Sequence, residues 1–264
     1  MIRVTNLVKK YGEFTAVDNI SFDVAEGEIF AFLGPNGAGK TTTIKILTTL
    51  LKPTAGAVEL DGLNPSVEHN EARKRFGIVF QDPSLDEELT AYENMDFHGV
   101  LYKVPAKIRA KRIERLLTLF ELWERRNDAV KQFSGGMKRR LEIARGLLHT
   151  PKIVFLDEPT LGLDPQTRNQ LWTHVKKLNE EERVTVFMTT HYMEEAERVA
   201  HRIAIIDHGK IVAQGSVQQL KGQTGAETLE QAFLALTGST IRQEDASALD
   251  QMRNMARMFR GRRR

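Results

Sequence analysis

The 264-residue sequence predicts an α/β fold, on three observations. Five short runs are nearly continuously apolar and alternate with helical patterns: 28–34 (EIFAFLG), 76–80 (FGIVF), 152–157 (KIVFLD), 184–190 (VTVFMTT) and 202–207 (RIAIID). Strands covered on both faces of a parallel sheet read this way. Two earlier runs, IRVTNLVKKYG and ISFDVAEG, alternate apolar with polar residues and suggest an antiparallel edge sheet. From Thr90 to Thr150 there is no strand pattern. Instead 105–123 sets Ile108, Ile113, Leu116, Leu117 and Phe120 at mixed three- and four-residue spacings, the apolar stripe of a helix. The expected organisation is a core of 1–89 and 151–225, a helical insertion over 90–150 and a helical, Arg-rich tail over 226–264. Within that tail ETLEQAFLALTG ends at Gly238, a helix C-cap residue.

Composition narrows the function classes. Hydrophobic content of 41% and charged content of 28% are an ordinary globular balance. No apolar run approaches the roughly 18 residues that span a bilayer, and MIRVTNLVKKYG lacks the apolar region of a signal peptide. The absence of cysteine excludes disulfides, thiol catalysis and cysteine metal sites, and fits the cytosol. The net charge of +3 arises in the tail, where Arg253, Arg257, Arg260, Arg262, Arg263 and Arg264 stand in an acid-free run from Met252 onward. Without these six the chain has 32 basic against 35 acidic residues, which argues against nucleic acid as a partner. The tail itself fits either contact with anionic lipid, its methionines and Phe259 inward, or a solvated end.

The strongest motif follows the first core run. GPNGAGKTT (34–42) matches G-x-x-x-x-G-K-[ST], with Gly34, Gly39, Lys40 and Thr41 in the fixed places and Pro35, Asn36, Gly37, Ala38 and Thr42 completing the stretch. Glycines let backbone N–H groups turn inward around a polyphosphate, and the helix that follows presents its positive end to the anion. Lys40 can reach the β- and γ-phosphates and the Thr41 hydroxyl can ligate Mg²⁺, so the motif calls for ATP and Mg²⁺.

At the other end of the site, KIVFLDEPT carries two acids out of a buried strand. Asp157 falls at the sheet's C-terminal edge, where ligands bind in open α/β sheets, and is placed to hold Mg²⁺. Glu158, one residue on, points elsewhere and can polarise an attacking water. Read alone, the same two acids could open a solvated loop. Asp164 reads as the N-cap of the helix that begins at Pro165. His191 and Gln81 each follow a strand end. Individually each is a common loop residue, but they share their placement with the acids.

In this order and spacing, GPNGAGKTT, Gln81, FSGGM (133–137), IVFLDEPT, GLD and His191 resemble the nucleotide-binding domain of ATP-binding-cassette (ABC) transporters over about residues 2–220. SGGMKRRLEIARGLLHTPKIVFLDEPTLGLDPQTR and LEQAFLALTG look most like the daunorubicin-resistance type of exporter ATPase. The resemblance implies a P-loop NTPase (RecA-like) α/β core with an antiparallel β subdomain and an inserted α-helical subdomain. It implies that Tyr11 stacks on adenine and that Gln81 links the Mg²⁺–water centre to a transmembrane partner. His191 would hydrogen-bond the γ-phosphate, and Asp164 would contact a second subunit. Residues 90–150 would dock on membrane coupling helices.

The resemblance also gives SGG a task. In this family that element binds the γ-phosphate of ATP held by the other subunit, so that two domains meet head to tail. Ser134 can donate from its hydroxyl, and the Gly135 and Gly136 amides can face an anion at a helix start. The helix that follows has an apolar stripe at 137, 141, 144 and 148. Two positions depart from the commonest pattern. Met137 stands where Gln is usual and cannot make that residue's polar contacts; Phe133 replaces Leu. The expected protein is a peripheral ATPase subunit on the cytoplasmic face of the cell membrane. It would pair with a second cassette, identical or paralogous, and drive a separate permease, most consistently an exporter of a drug-like or lipophilic compound. The alternatives are a soluble ABC ATPase acting on nucleic acid or ribosomes, and the ATPase of an importer.

Overall fold

A computed structural model describes residues 1–238. The arginine-rich stretch from Met252 onward, with its lipid-contact reading, lies outside the described residues. Two sheets organise the chain. The first is antiparallel, order β2-β1-β4, built from β1 (Ile2–Tyr11), β2 (Phe14–Val24) and β4 (Ala55–Leu60). The second has six strands, order β5-β6-β7-β3-β8-β9. It comprises β3 (Ile29–Leu33), β5 (Phe76–Val79), β6 (Ile153–Asp157), β7 (Thr185–Thr190), β8 (Arg202–Asp207) and β9 (Lys210–Gly215). All its pairings are parallel except β8 with β9.

Strand β3 explains why the core runs are apolar throughout. Its Phe30 and Phe32 face the antiparallel sheet, while Ile29, Ala31 and Leu33 face the opposite side. Phe22 of β2 meets Phe30, Phe32 and Phe187 with ring centroids 5.5–5.9 Å apart, which seats one sheet on the other. Each such ring, fully buried, contributes about 1.5–3 kcal/mol.

Nine α-helices occur among the described residues: α1 (Lys40–Leu47), α2 (His69–Arg75), α3 (Ala91–Leu101), α4 (Ala106–Leu119), α5 (Gly135–Leu147), α6 (Pro165–Glu182), α7 (Met193–Val199), α8 (Val217–Thr224) and α9 (Leu229–Thr237). Between β5 and β6 the chain forms α3, α4, α5 and two short 3-10 turns. Thr90 starts α3 with a reciprocal capping box to Glu93. Ile113, Leu116, Leu117 and Phe120 of the α4 region are buried in the same core as Leu141, Ala144 and Leu148. Gly238 caps α9 at a φ of 86°. Strands β4 and β9 were not legible as strands: only two of the six residues in β4 are buried and none in β9, so neither has an apolar run.

The order β5-β6-β7-β3 positions the site. Register pairs Val79 with Leu156, Asp157 with Thr189, and Leu33 with Thr190. The loops that follow β5, β6, β7 and β3 therefore leave one edge of the sheet side by side. They carry Gln81, Glu158, His191 and the 34–42 loop.

Candidate active site

The 34–42 loop turns directly from β3 into α1. Gly39 is the N-cap of α1 at φ 110°, and a Cβ there would stand 2.5 Å from the Ala16 carbonyl oxygen. Only glycine meets both conditions. Asn36 and Gly37 form the exposed tip, while Ala38 is buried and its N–H donates to Pro35 at 3.2 Å. Lys40 lies folded back into the loop. Its Nζ donates to the carbonyls of Gly34 at 2.7 Å and Pro35 at 3.2 Å, and stands 3.5 Å from Glu158 Oε1. Burial holds its pKa below the usual lysine value, against the opposing pull of Glu158. Thr42 is half-buried on the same helix.

Asp157 ends β6 and is 1% exposed. Thr189 Oγ1 donates to its Oδ1 at 2.5 Å, and the Thr41 hydroxyl donates as well. Burial raises the Asp157 pKa, and these two hydroxyls oppose the rise. Thr41 and Asp157 thus form a hydroxyl–carboxylate pair, a donor set suited to Mg²⁺ shared with phosphate oxygens.

Glu158 occupies left-handed backbone space at φ 47°, uncommon for a residue with a Cβ. Its N–H donates to both the carbonyl of Thr189, at 3.1 Å, and Thr189 Oγ1, at 3.0 Å. Its carboxylate is bracketed: Oε1 faces Lys40, and Oε2 lies 2.8 Å from His191 Nδ1. That contact leaves His191 Nε2 available for a second partner. Gln81 is exposed; its register, continued one step past Phe80, brings it level with Glu158. The structure therefore brings Lys40, Thr41, Asp157, Glu158 and His191 together, with Gln81 beside them.

Ser134, Gly135 and Gly136 start α5 elsewhere on the surface. Ser134 is the N-cap, its Oγ accepting from Met137 N–H at 3.3 Å, which leaves its own proton free to donate outward. Gly136 is buried against Thr167, where an added Cβ would come 2.3 Å from Thr167 Cγ2. Thr167 is in turn bonded to Asp164, the N-cap of α6, through its N–H at 3.0 Å and its hydroxyl at 2.6 Å. These bonds, the hydroxyl first, lower the Asp164 pKa. The SGG element and Asp164 thus belong to one patch. Met137 is half-buried against the core. Tyr11 ends β1 opposite Phe14, with the Lys9 ammonium 5.1 Å from its ring centroid.

Three contributors escaped the sequence reading. Thr189, which holds both acids, sits inside an apolar run. Arg139 and Glu142 are buried in α5, where the stripe at 137, 141, 144 and 148 predicted only apolar packing. The i, i+3 spacing of opposite charges was the available signal.

Residues 17–161 match the profile of the ABC transporter family. The daunorubicin resistance ATP-binding protein DrrA3 of Streptomyces coeruleorubidus is 39% identical over 91% of this chain and 79% of its own. The linearmycin resistance ATP-binding protein LnrL of Bacillus subtilis is 42% identical over 88% of this chain and 74% of its own. A solved dimeric ATP-binding cassette, in a post-hydrolysis state with ADP and Pi, superposes with a TM-score of 0.73 at 33% identity, covering 82% of this chain and 98% of that one. The chain belongs to the ABC transporter family. It has the P-loop NTPase fold and is an ATP-binding subunit that hydrolyses ATP.

Proposed function

We propose that this ABC subunit closes head to tail with a second cassette around two ATP molecules and drives a separate membrane permease that exports a drug-like or lipophilic compound. The observation that carries the catalytic part is the bracketing of the Glu158 carboxylate by Lys40 and His191. Before nucleotide arrives, Lys40 shares its protons among two loop carbonyls and Glu158. Phosphate draws the ammonium away and frees Oε1 to accept a proton from water. His191, held through Nδ1, directs Nε2 at the γ-phosphate. Thr41 and Asp157, with Gln81 at the same edge, would hold Mg²⁺, which when bound neutralises phosphate charge. Tyr11 would stack on the adenine.

The patch of Ser134, Gly135, Gly136 and Asp164 supports a partner that completes the site. The γ-phosphate is then an acceptor for both subunits, and its loss reopens the dimer, a population shift driven by differential binding. Export as the direction, and a lipophilic cargo, rest on the drug-resistance relatives.

For the permease, the supporting feature is an exposed apolar face of α3, where Phe97, Val100 and Leu101 follow three- and four-residue spacing, with Ile108 exposed on α4. Phe97, Val100, Leu101 and Ile108 are 46–63% exposed. Scattered single exposures are ordinary, but clustered ones mark interaction sites. The test replaces Phe97 and Leu101 with Asp. Co-purification with the membrane permease should be lost while ATP binding persists. Unchanged co-purification would refute this docking face.

A further inference from the structure

We infer that Arg139 is a positioning residue for Glu158: from inside α5 it holds the backbone turn that aims the base. This rests on the reading of Glu158 as the group that activates water.

Arg139 is 7% exposed and spends all five guanidinium N–H donors on named acceptors. Nε donates to the Pro159 carbonyl at 2.8 Å. Nη2 donates to the carbonyls of Asp157 at 3.0 Å and Glu158 at 3.1 Å. Nη1 donates to the Phe80 carbonyl and to Glu142 Oε2, the latter at 2.9 Å. Three consecutive carbonyls, 157 to 159, are therefore gathered onto one planar group. The residue in their middle is the one at φ 47°. Its N–H is tied to Thr189 on the far side, so both peptide groups flanking its Cα are fixed. With the backbone pinned, the side chain leaves between Lys40 and His191.

The same guanidinium reaches the loop before Gln81. Glu142, 4% exposed, neutralises Arg139 through Oε2 and accepts from the Ser84 N–H through Oε1 at 2.7 Å. The loops after β5 and β6 thus share one anchor, carried on the helix that starts at Ser134. A lysine could keep the charge beside Glu142. Its three donors radiate from a single nitrogen and cannot span four carbonyls.

Arg139→Lys tests this, with Glu158→Gln as the reference. A mispositioned base should leave ATP binding intact and stall hydrolysis. We expect kcat to fall about 10- to 100-fold with KM for ATP little changed. We also expect R139K to accumulate the ATP-bound dimer, as E158Q should. In the E158Q background, R139K should lower the residual rate no further, because both changes remove the same function. A wild-type kcat, loss of dimer together with activity, or an additive drop in the double variant would overturn the inference. If E158Q itself neither stalls nor accumulates dimer, the underlying assignment of Glu158 fails, and Arg139's role with it. R139Q/E142Q, which removes both buried charges, gives the same readouts if R139K does not fold.

Discussion

Thr189→Val is the most informative single change outside the motif residues. Valine keeps the shape and the β-branch, so packing inside β7 is preserved. What disappears is one hydroxyl that donates to Asp157 at 2.5 Å and accepts from Glu158 N–H at 3.0 Å. A hydrogen bond to a charged group is worth about 1.5–3 kcal/mol net. The Thr41 hydroxyl still reaches Asp157, and Glu158 N–H keeps the Thr189 carbonyl, so neither group is orphaned. A loss of about 2 kcal/mol is expected, or about 4–8 °C in Tm for a chain of this size. Function should change with a sign set by the titration. Burial already raises the Asp157 pKa and the Thr189 hydroxyl opposes that rise. Removing it raises the pKa further, because burial then meets less opposition. Mg²⁺ must then compete with a proton as pH falls. The assay is the Mg²⁺ dependence of ATP hydrolysis at pH 6 and pH 8. T189V should need several-fold more Mg²⁺ at pH 6 and recover toward wild type at pH 8. A Tm within 1 °C of wild type, with the same Mg²⁺ requirement at both pH values, would refute this account of Asp157.

Two further changes follow from the geometry. Met137→Gln should retain ATPase activity, because Ser134 caps α5 by accepting from the backbone N–H of position 137, whatever its side chain, and the phosphate-facing groups at 134–136 are untouched; a loss beyond about tenfold, some 1.4 kcal/mol of barrier, would contradict this. His98 and His149 pack with Tyr102 in one ring cluster, His149 stacked on it and His98 tilted against it, and burial pushes their pKa values down to about 3 and about 4. The unfolded chain protonates both near pH 6.5 while the folded one does not, so stability should fall as pH drops below that value, by up to about 1.4 kcal/mol per unit for each histidine. Urea midpoints between pH 7 and pH 5 check the slope, to which His174, also lowered by burial, adds, and His98→Gln should make it shallower; a slope unchanged in that variant would count against the assignment.

Some parts of the site are legible in the sequence and others are hidden, for physical reasons. Lys40 and Thr41 are readable because phosphate chemistry needs them at fixed spacing in one continuous loop. Asp157 is readable because a carboxylate carried to the end of a buried strand needs a cation or a hydrogen-bond donor to meet it there. Thr189 was hidden since a hydroxyl inside VTVFMTT looks like β-propensity, and its use depends on the β6–β7 register. Arg139 was hidden because helical periodicity treats the inward face as apolar, whereas this helix turns a charge inward to meet backbone carbonyls. The left-handed turn at Glu158 has no sequence signal at all, since glycine would be the ordinary choice there. In the fold, the core strands were legible from their two-sided burial, and β4 and β9 were not, because little of either is buried. Asp164 was read as a helix cap, and the structure shows it as one, bonded to Thr167 and adjoining Gly136.

The central claim is that one catalytic site needs two chains, with Glu158 as the residue whose loss freezes the closed state. Light scattering of the E158Q protein on a sizing column, with ATP and Mg²⁺ and then with ADP, tests it directly. The account predicts a particle of twice the chain mass with ATP, two nucleotides retained per dimer, a return to monomer with ADP, and negligible turnover. A protein that binds ATP but stays monomeric, or one that hydrolyses at the wild-type rate, would contradict it.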